Sequence, residues 1–232
     1  MLALLLSACS GDGGGGGGGR GEAGQANANS STEEADGYRA AEQALEPEAQ
    51  ERAQSVPLTL SDLPDSWQPH EGGVGVIGAC LGGDLSALTI VGAAQGKDFQ
   101  HSGTGRVTSA AQVFATEQMA AEELEILATE VEREEVERCV ADLLGRHPDA
   151  PEIGADIREI SIPPPSGVDE TRAWQVAITY HEEGAPFTAY DQMFVLREED
   201  TTAFLMTWSF LTPFNPVLRD EMIAMVASRI VN

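Results

Sequence analysis

The stretch Arg172–Leu211, RAWQVAITYHEEGAPFTAYDQMFVLREEDTTAFLMTWSFL, decides the fold. Three segments, about 172–181, 187–197 and 202–211, alternate apolar and polar positions and are rich in β-branched and aromatic residues. Turn chemistry separates them at Glu183-Gly184 and Glu199-Asp200. Such turns fix pairing parity. A turn centred between Glu183 and Gly184 pairs residues whose numbers sum to 367, and one centred between Glu199 and Asp200 gives 399. One face of this meander then carries Trp174, Val176, Ile178, Tyr180, Phe187, Met193, Val195, Phe204, Met206, Trp208 and Phe210. That is a core face, and it requires helices against it. Asp191 falls among these residues as a misfit that the pattern does not explain.

The opposite face carries Gln175, Thr179, Thr188, Tyr190, Gln192, Thr207 and Ser209 among smaller or apolar residues. Gln175 pairs with Gln192, Gln192 with Thr207, and Tyr190 with Ser209 in this register. Two readings fit. The face is solvated, as one face of an antiparallel sheet commonly is. Alternatively Gln175, Tyr190, Gln192, Thr207 and Ser209 line a ligand cleft. Donors, acceptors and one ring without net charge suit a neutral or amphiphilic ligand, because an ion would lack a partner on desolvation.

Working outward, Asn215-Pro216 is an N-cap followed by proline at the first helical position, and Leu218, Met222, Val226 and Ile230 recur at helical spacing. Thr116 caps a helix carrying Met119, Leu124, Leu127 and Val131. The run Thr129-Glu130-Val131-Glu132 matches a capping box. A second helix is expected there, with a stripe of Val136, Cys139, Val140 and Leu143 and a stop at Gly145. Thr89–Ala93, Arg106–Phe114 and Ile157–Ile162 read as strands, the first two separated by a loop around Gly96–Gly105. In Leu58–Pro64, Ser61 is placed to cap a short turn. The pattern is α+β: an antiparallel sheet with a C-terminal three-strand meander, packed by two or three helices over residues 57–232.

The N-terminus reads as an address. Leu2–Ala8 is apolar and too short to span a membrane, and Leu6-Ser7-Ala8-Cys9 resembles the lipobox of bacterial lipoproteins. That resemblance implies a signal peptide over 1–8 and a diacylglycerol on the Cys9 thiol. No Lys or Arg precedes the apolar run, which departs from the usual signal peptide. Residues 9–56 then form a lipidated Cys and a glycine-rich acidic tether, with Gly13–Gly19 unbroken glycine. Residues 39–54 support at most a transient helix. As a flexible coil the tether spans about 35–40 Å. An anchored domain resides in the cell envelope, outside the cytoplasm. With Cys9 lipidated, Cys80 and Cys139 remain, and in an exported chain they form a disulfide or stay as buried thiols.

Charge limits the partners. With 13 basic and 38 acidic residues the net charge is −25, which excludes nucleic acid as an electrostatic partner. Nine Glu lie between Glu117 and Glu137, a solvated helix face that lacks the ligand spacing of a calcium loop. His70, His101, His147 and His181 fall in no metal-ligand pattern, Gly103-Thr104-Gly105 is a lone GxG, and no nucleophile elbow occurs. The reading therefore assigns no catalytic residue, no metal and no cofactor.

The order of features resembles a group of actinobacterial lipoproteins whose domain is similar to the extracytoplasmic sensor domain of a receptor Ser/Thr kinase. The residues that carry it are Leu58–Pro64 (LTLSDLP) with Trp67, the Cys80-Leu81-Gly82 segment, Cys139 in the helical middle, and the closing strands and helix. The resemblance implies an antiparallel sheet packed by helices with a ligand-binding groove. The kinase sensor has two disulfides where this domain can form one. The PsbP-like lipoprotein fold, also α+β, is the runner-up. The expected function is a non-enzymatic, lipid-anchored binding or sensor-type module. The alternative is an envelope interaction protein whose acidic helix face meets a cationic partner, and a hydrolytic enzyme ranks last.

Overall fold

A computed structural model describes residues 45–71, 80, 85–101, 105–131, 134–144, 152–181 and 186–232. The signal peptide expected over residues 1–8, Cys9 and the expected tether up to residue 44 lie outside the described residues. The strands are β1 (Trp67–His70), β2 (Ile90–Gln95), β3 (Asp98–His101), β4 (Gly105–Phe114), β5 (Glu152–Glu159), β6 (Glu170–His181), β7 (Phe187–Glu198) and β8 (Thr201–Phe210). The helices are α1 (Pro47–Ser55), α2 (Glu117–Val131), α3 (Glu134–Leu144) and α4 (Pro216–Ile230). All eight strands join one antiparallel sheet in the order β1-β3-β4-β8-β7-β6-β5, with β2 also on β4.

The meander has the register expected from its turns. Trp174 pairs with Met193 and Met193 with Met206, while Gln175 pairs with Gln192 and Gln192 with Thr207. Glu199 adopts φ 48° in the turn between β7 and β8. The core face packs Trp174, Val176, Ile178, Met193, Val195, Phe204 and Met206 against Leu124, Leu127 and Val131 of α2 and Val136 and Val140 of α3. The other face is covered as well. Ala173, Phe194, Leu196, Ala203 and Leu205 meet Met222, Ile223, Val226, Ala227 and Ile230 of α4. Each large side chain so buried contributes roughly 1.5–3 kcal/mol. Asn215 starts α4 as expected, its side chain accepting from the backbone N–H groups of Val217 and Leu218.

Several expectations need correction. The expected tether boundary at residue 56 is too late, because Pro47–Ser55 is a helix docked on the domain. Only Ala49 and Ala53 of α1 are buried, so its apolar signal is weak, and polar bonds complete the docking. The Gln50 side chain donates to the carbonyl of Ala93 at 2.8 Å and accepts from its N–H at 3.0 Å. It thus occupies the open edge of β2, an edge that otherwise invites another strand. Gly92 permits the close approach, since a Cβ there would lie 2.3 Å from the Ala49 carbonyl oxygen.

The loop expected around Gly96–Gly105 contains β3, held by Phe99 in the α4-side core, and β1 pairs with it despite Pro69. Ser61 is not the cap of the short turn. Thr59 caps a 3-10 helix over Leu60–Asp62 in a reciprocal capping box with Asp62. The Thr129 capping box also fails. Thr129 lies within α2 and its hydroxyl donates to the Glu125 carbonyl. β5 starts earlier than expected because its pairing with β6 continues to Glu152, and it ends before the three prolines, which lack N–H donors.

Candidate functional site

The five residues expected to line a cleft do share one sheet face, but it is closed over four of them. Gln175, Gln192 and Ser209 are 3%, 3% and 4% exposed, and Thr207 is fully buried. The Gln192 amide donates to Gln175 Oε1 at 3.0 Å, and the Thr207 hydroxyl donates to Gln192 Oε1 at 3.4 Å. Ser209 donates to the carbonyl of Thr212, in the segment leading to α4. This face is therefore neither solvated nor an open groove. It is an internally satisfied polar seam beside the apolar patch under α4. Only Tyr190 of the five reaches solvent in part.

On the α2–α3 side, the Cys80–Cys139 disulfide is present, with a Cα–Cα distance of 5.6 Å. Cys139 lies on α3, and Cys80 packs against the core under that helix. The bridge ties the β1–β2 connection to the helical layer. Asp191, the misfit, is fully buried on this face, directly across from Val176 and Trp208.

Glu123 was counted with the solvated acidic face, yet it points inward and is 1% exposed. Thr202 on β8 donates to its Oε2 at 2.7 Å. Burial pushes its carboxyl up to about 7, opposed by that hydrogen bond. Gln112 stands directly across from Thr202 on β4, with its Oε1 buried and without a hydrogen-bond partner. The spacing held the signal: Met119, Glu123, Leu127 and Val131 fall on one helical stripe.

The sheet flank formed by β1, β3, β4 and β8 was not foreseen as a site. On the α2–α3 side, Gln68 pairs with Gln100, Gln100 with Arg106, and Arg106 with Trp208. Gln68 is exposed, and the other three are partly exposed. One register step along the strands, His70 pairs with Asp98, and Thr108 is buried. Burial raises the Asp98 carboxyl above the ordinary range. The Thr108 hydroxyl and the charges of His70 and Arg106 pull the other way. Arg106 forms no ion pair with another described residue. Trp208 meets Phe210 edge-on, with ring centroids 5.7 Å apart at 80°, and Phe210 is 40% exposed. Trp208 and Phe210 were expected in the core; the structure leaves them at its rim.

Among the described residues, no group of three His, Cys, Asp or Glu side chains is placed to hold a metal ion. His70 and His101 lie on β1's partner pair with β3, and His181 ends β6, while His147 lies outside the described residues. Trp67 and Trp174 are core residues.

No family model matches the chain, and no curated protein matches it. Among solved structures, the chain is similar to the extracellular domain of PknH from Mycobacterium tuberculosis. The identity is 13% and the TM-score 0.41, over 82% of this chain and 96% of that one.

Proposed function

We propose that the chain is a non-enzymatic, lipid-anchored binding module of the sensor type, held outside the cytoplasm. The observation that carries this reading is the Cys80–Cys139 bridge, because structural disulfides form and persist in oxidising compartments. The lipobox-like Leu6–Cys9 supplies the anchor: acyl chains on the Cys9 thiol add about 0.8 kcal/mol per buried CH₂, and two or more hold stably. The polar stretch that follows Cys9 sets the folded domain off from the lipid. A sheet packed by helices on both faces is a rigid scaffold, and the partly exposed Gln68–Trp208 flank supports the reading of a binding surface. The reading that uses an acidic helix face draws less support, since Glu123 is buried and Glu137 bonds the Ile157 N–H of edge strand β5.

Detergent-phase partitioning tests the anchor. The wild type enters the detergent phase, whereas Cys9→Ser stays aqueous because the acyl acceptor is gone. Equal partitioning of the two proteins contradicts the proposal.

A further inference from the structure

We infer that the strip Gln68–Gln100–Arg106–Trp208, extended by Phe210, binds a neutral glycan chain. The inference rests on the reading of the chain as a binding module and names the class of its ligand.

The four residues stand side by side on four adjacent strands, with side chains on the same face of the sheet. Neighbouring strands lie about 4.8 Å apart, so the row is about 14 Å long. It suits an extended ligand rather than a compact one. All four side chains reach solvent, unlike the closed polar seam on the other face.

The chemistry of the row is specific. Two carboxamides and a guanidinium are planar groups that offer several hydrogen bonds each, and the carboxamides both donate and accept. Paired ring hydroxyls and acetamido groups of a sugar complement such side chains. At the β8 end the lining changes to aromatic. Trp208 and Phe210 meet edge to face, leaving an apolar step on which the C–H face of a pyranose ring can stack. An ordinary solvated sheet face has no need of a partly exposed tryptophan at the end of a row of planar polar groups.

Charge selects between neutral and ionic glycans. Arg106 is the one cation in the row, and the Asp98 carboxyl lies close enough for its charge to be felt. An anionic sugar would meet the Asp98 carboxyl as well as the guanidinium, in a chain of net charge −25. A neutral chain meets no such opposition.

The test uses the full-length exported protein and two probes, the neutral oligosaccharide chitotetraose and the anionic tetragalacturonate. Chitotetraose at millimolar concentration is expected to change tryptophan emission and to release heat in calorimetry. Trp208→Phe should abolish the emission change, because Trp67 and Trp174 are buried. Gln100→Ala and Arg106→Ala should each raise the Kd at least severalfold while leaving the melting temperature unchanged. Should Trp208→Phe lower the melting temperature, the two polar variants still decide the question. Absence of chitotetraose binding overturns the inference, as does binding insensitive to Gln100→Ala and Arg106→Ala. Tighter binding of tetragalacturonate overturns the neutral class. An acylated, disulfide-bonded protein that binds neither probe refutes this inference alone and leaves the anchored-module reading standing.

Discussion

Glu123 makes stability depend on pH in a way that one substitution removes. Its carboxyl is 1% exposed, bonded by the Thr202 hydroxyl, and titrates at about 7 in the fold against 4.5 for the ordinary group. Below pH 4.5 the group is protonated in both folded and unfolded chains, and its contribution to stability is fully present. Between 4.5 and 7 the folded chain retains a proton that the unfolded chain has released, so stability falls as pH rises. Above 7 the loss levels off. At 1.36 kcal/mol per unit, a difference of this size amounts to about 3 kcal/mol. That corresponds to roughly 6–12 °C in melting temperature for a domain of this length. Glu123→Gln is neutral throughout and keeps an acceptor for Thr202. Its amide also supplies a donor near Gln112 Oε1, the buried acceptor across from Thr202. Urea unfolding from pH 4.5 to 8 is the assay. The other carboxylates titrate in both proteins, so only the difference between the two curves is read. The variant should match the wild type at pH 4.5 and exceed it by about 3 kcal/mol at pH 8. Curves that stay parallel across the range would refute the reasoning.

Reducing the Cys80–Cys139 bridge reopens a loop whose ends are 59 residues apart in sequence. The chain-entropy model gives a loss of roughly 4 kcal/mol, visible as a drop of roughly 8–16 °C in calorimetry with and without reductant. Gly92→Ala forces a Cβ against the Ala49 carbonyl and should cost about 1–3 kcal/mol. Limited proteolysis should then cut between residues 47 and 56, which the wild type protects. Asn215→Ala removes the acceptor for the Val217 and Leu218 N–H groups and should cost about 1 kcal/mol by urea unfolding.

The meander was legible because two turn centres fix the parity of every pair in it, and period-2 alternation then assigns both faces. What sits on each face was less legible. The helix after Asn215 shows its own apolar stripe, but nothing in the stripe says that it lies over Phe194 and Leu205 and closes the face that holds Gln192. A buried polar seam and an open polar cleft have the same alternation, and only the covering layer distinguishes them. α1 escaped because two alanines anchor it and a glutamine completes its docking through backbone bonds. β1 and β3 escaped because four residues, one of them Pro69, give too short a run to show a period. The Gln68–Trp208 row depends on those two strands, so it had no sequence signature. Glu123 was visible by spacing, and the density of neighbouring glutamates hid it.

The central claim is an exported, acylated and disulfide-bonded module. Intact-mass and peptide-mapping spectrometry of the full-length gene product, purified from its native envelope, tests it most directly. The account predicts a chain that begins at Cys9, bears acyl chains on that residue, and yields a Cys80–Cys139 linked peptide under non-reducing conditions. A chain retaining residues 1–8 without acylation, with both remaining thiols free, would contradict it.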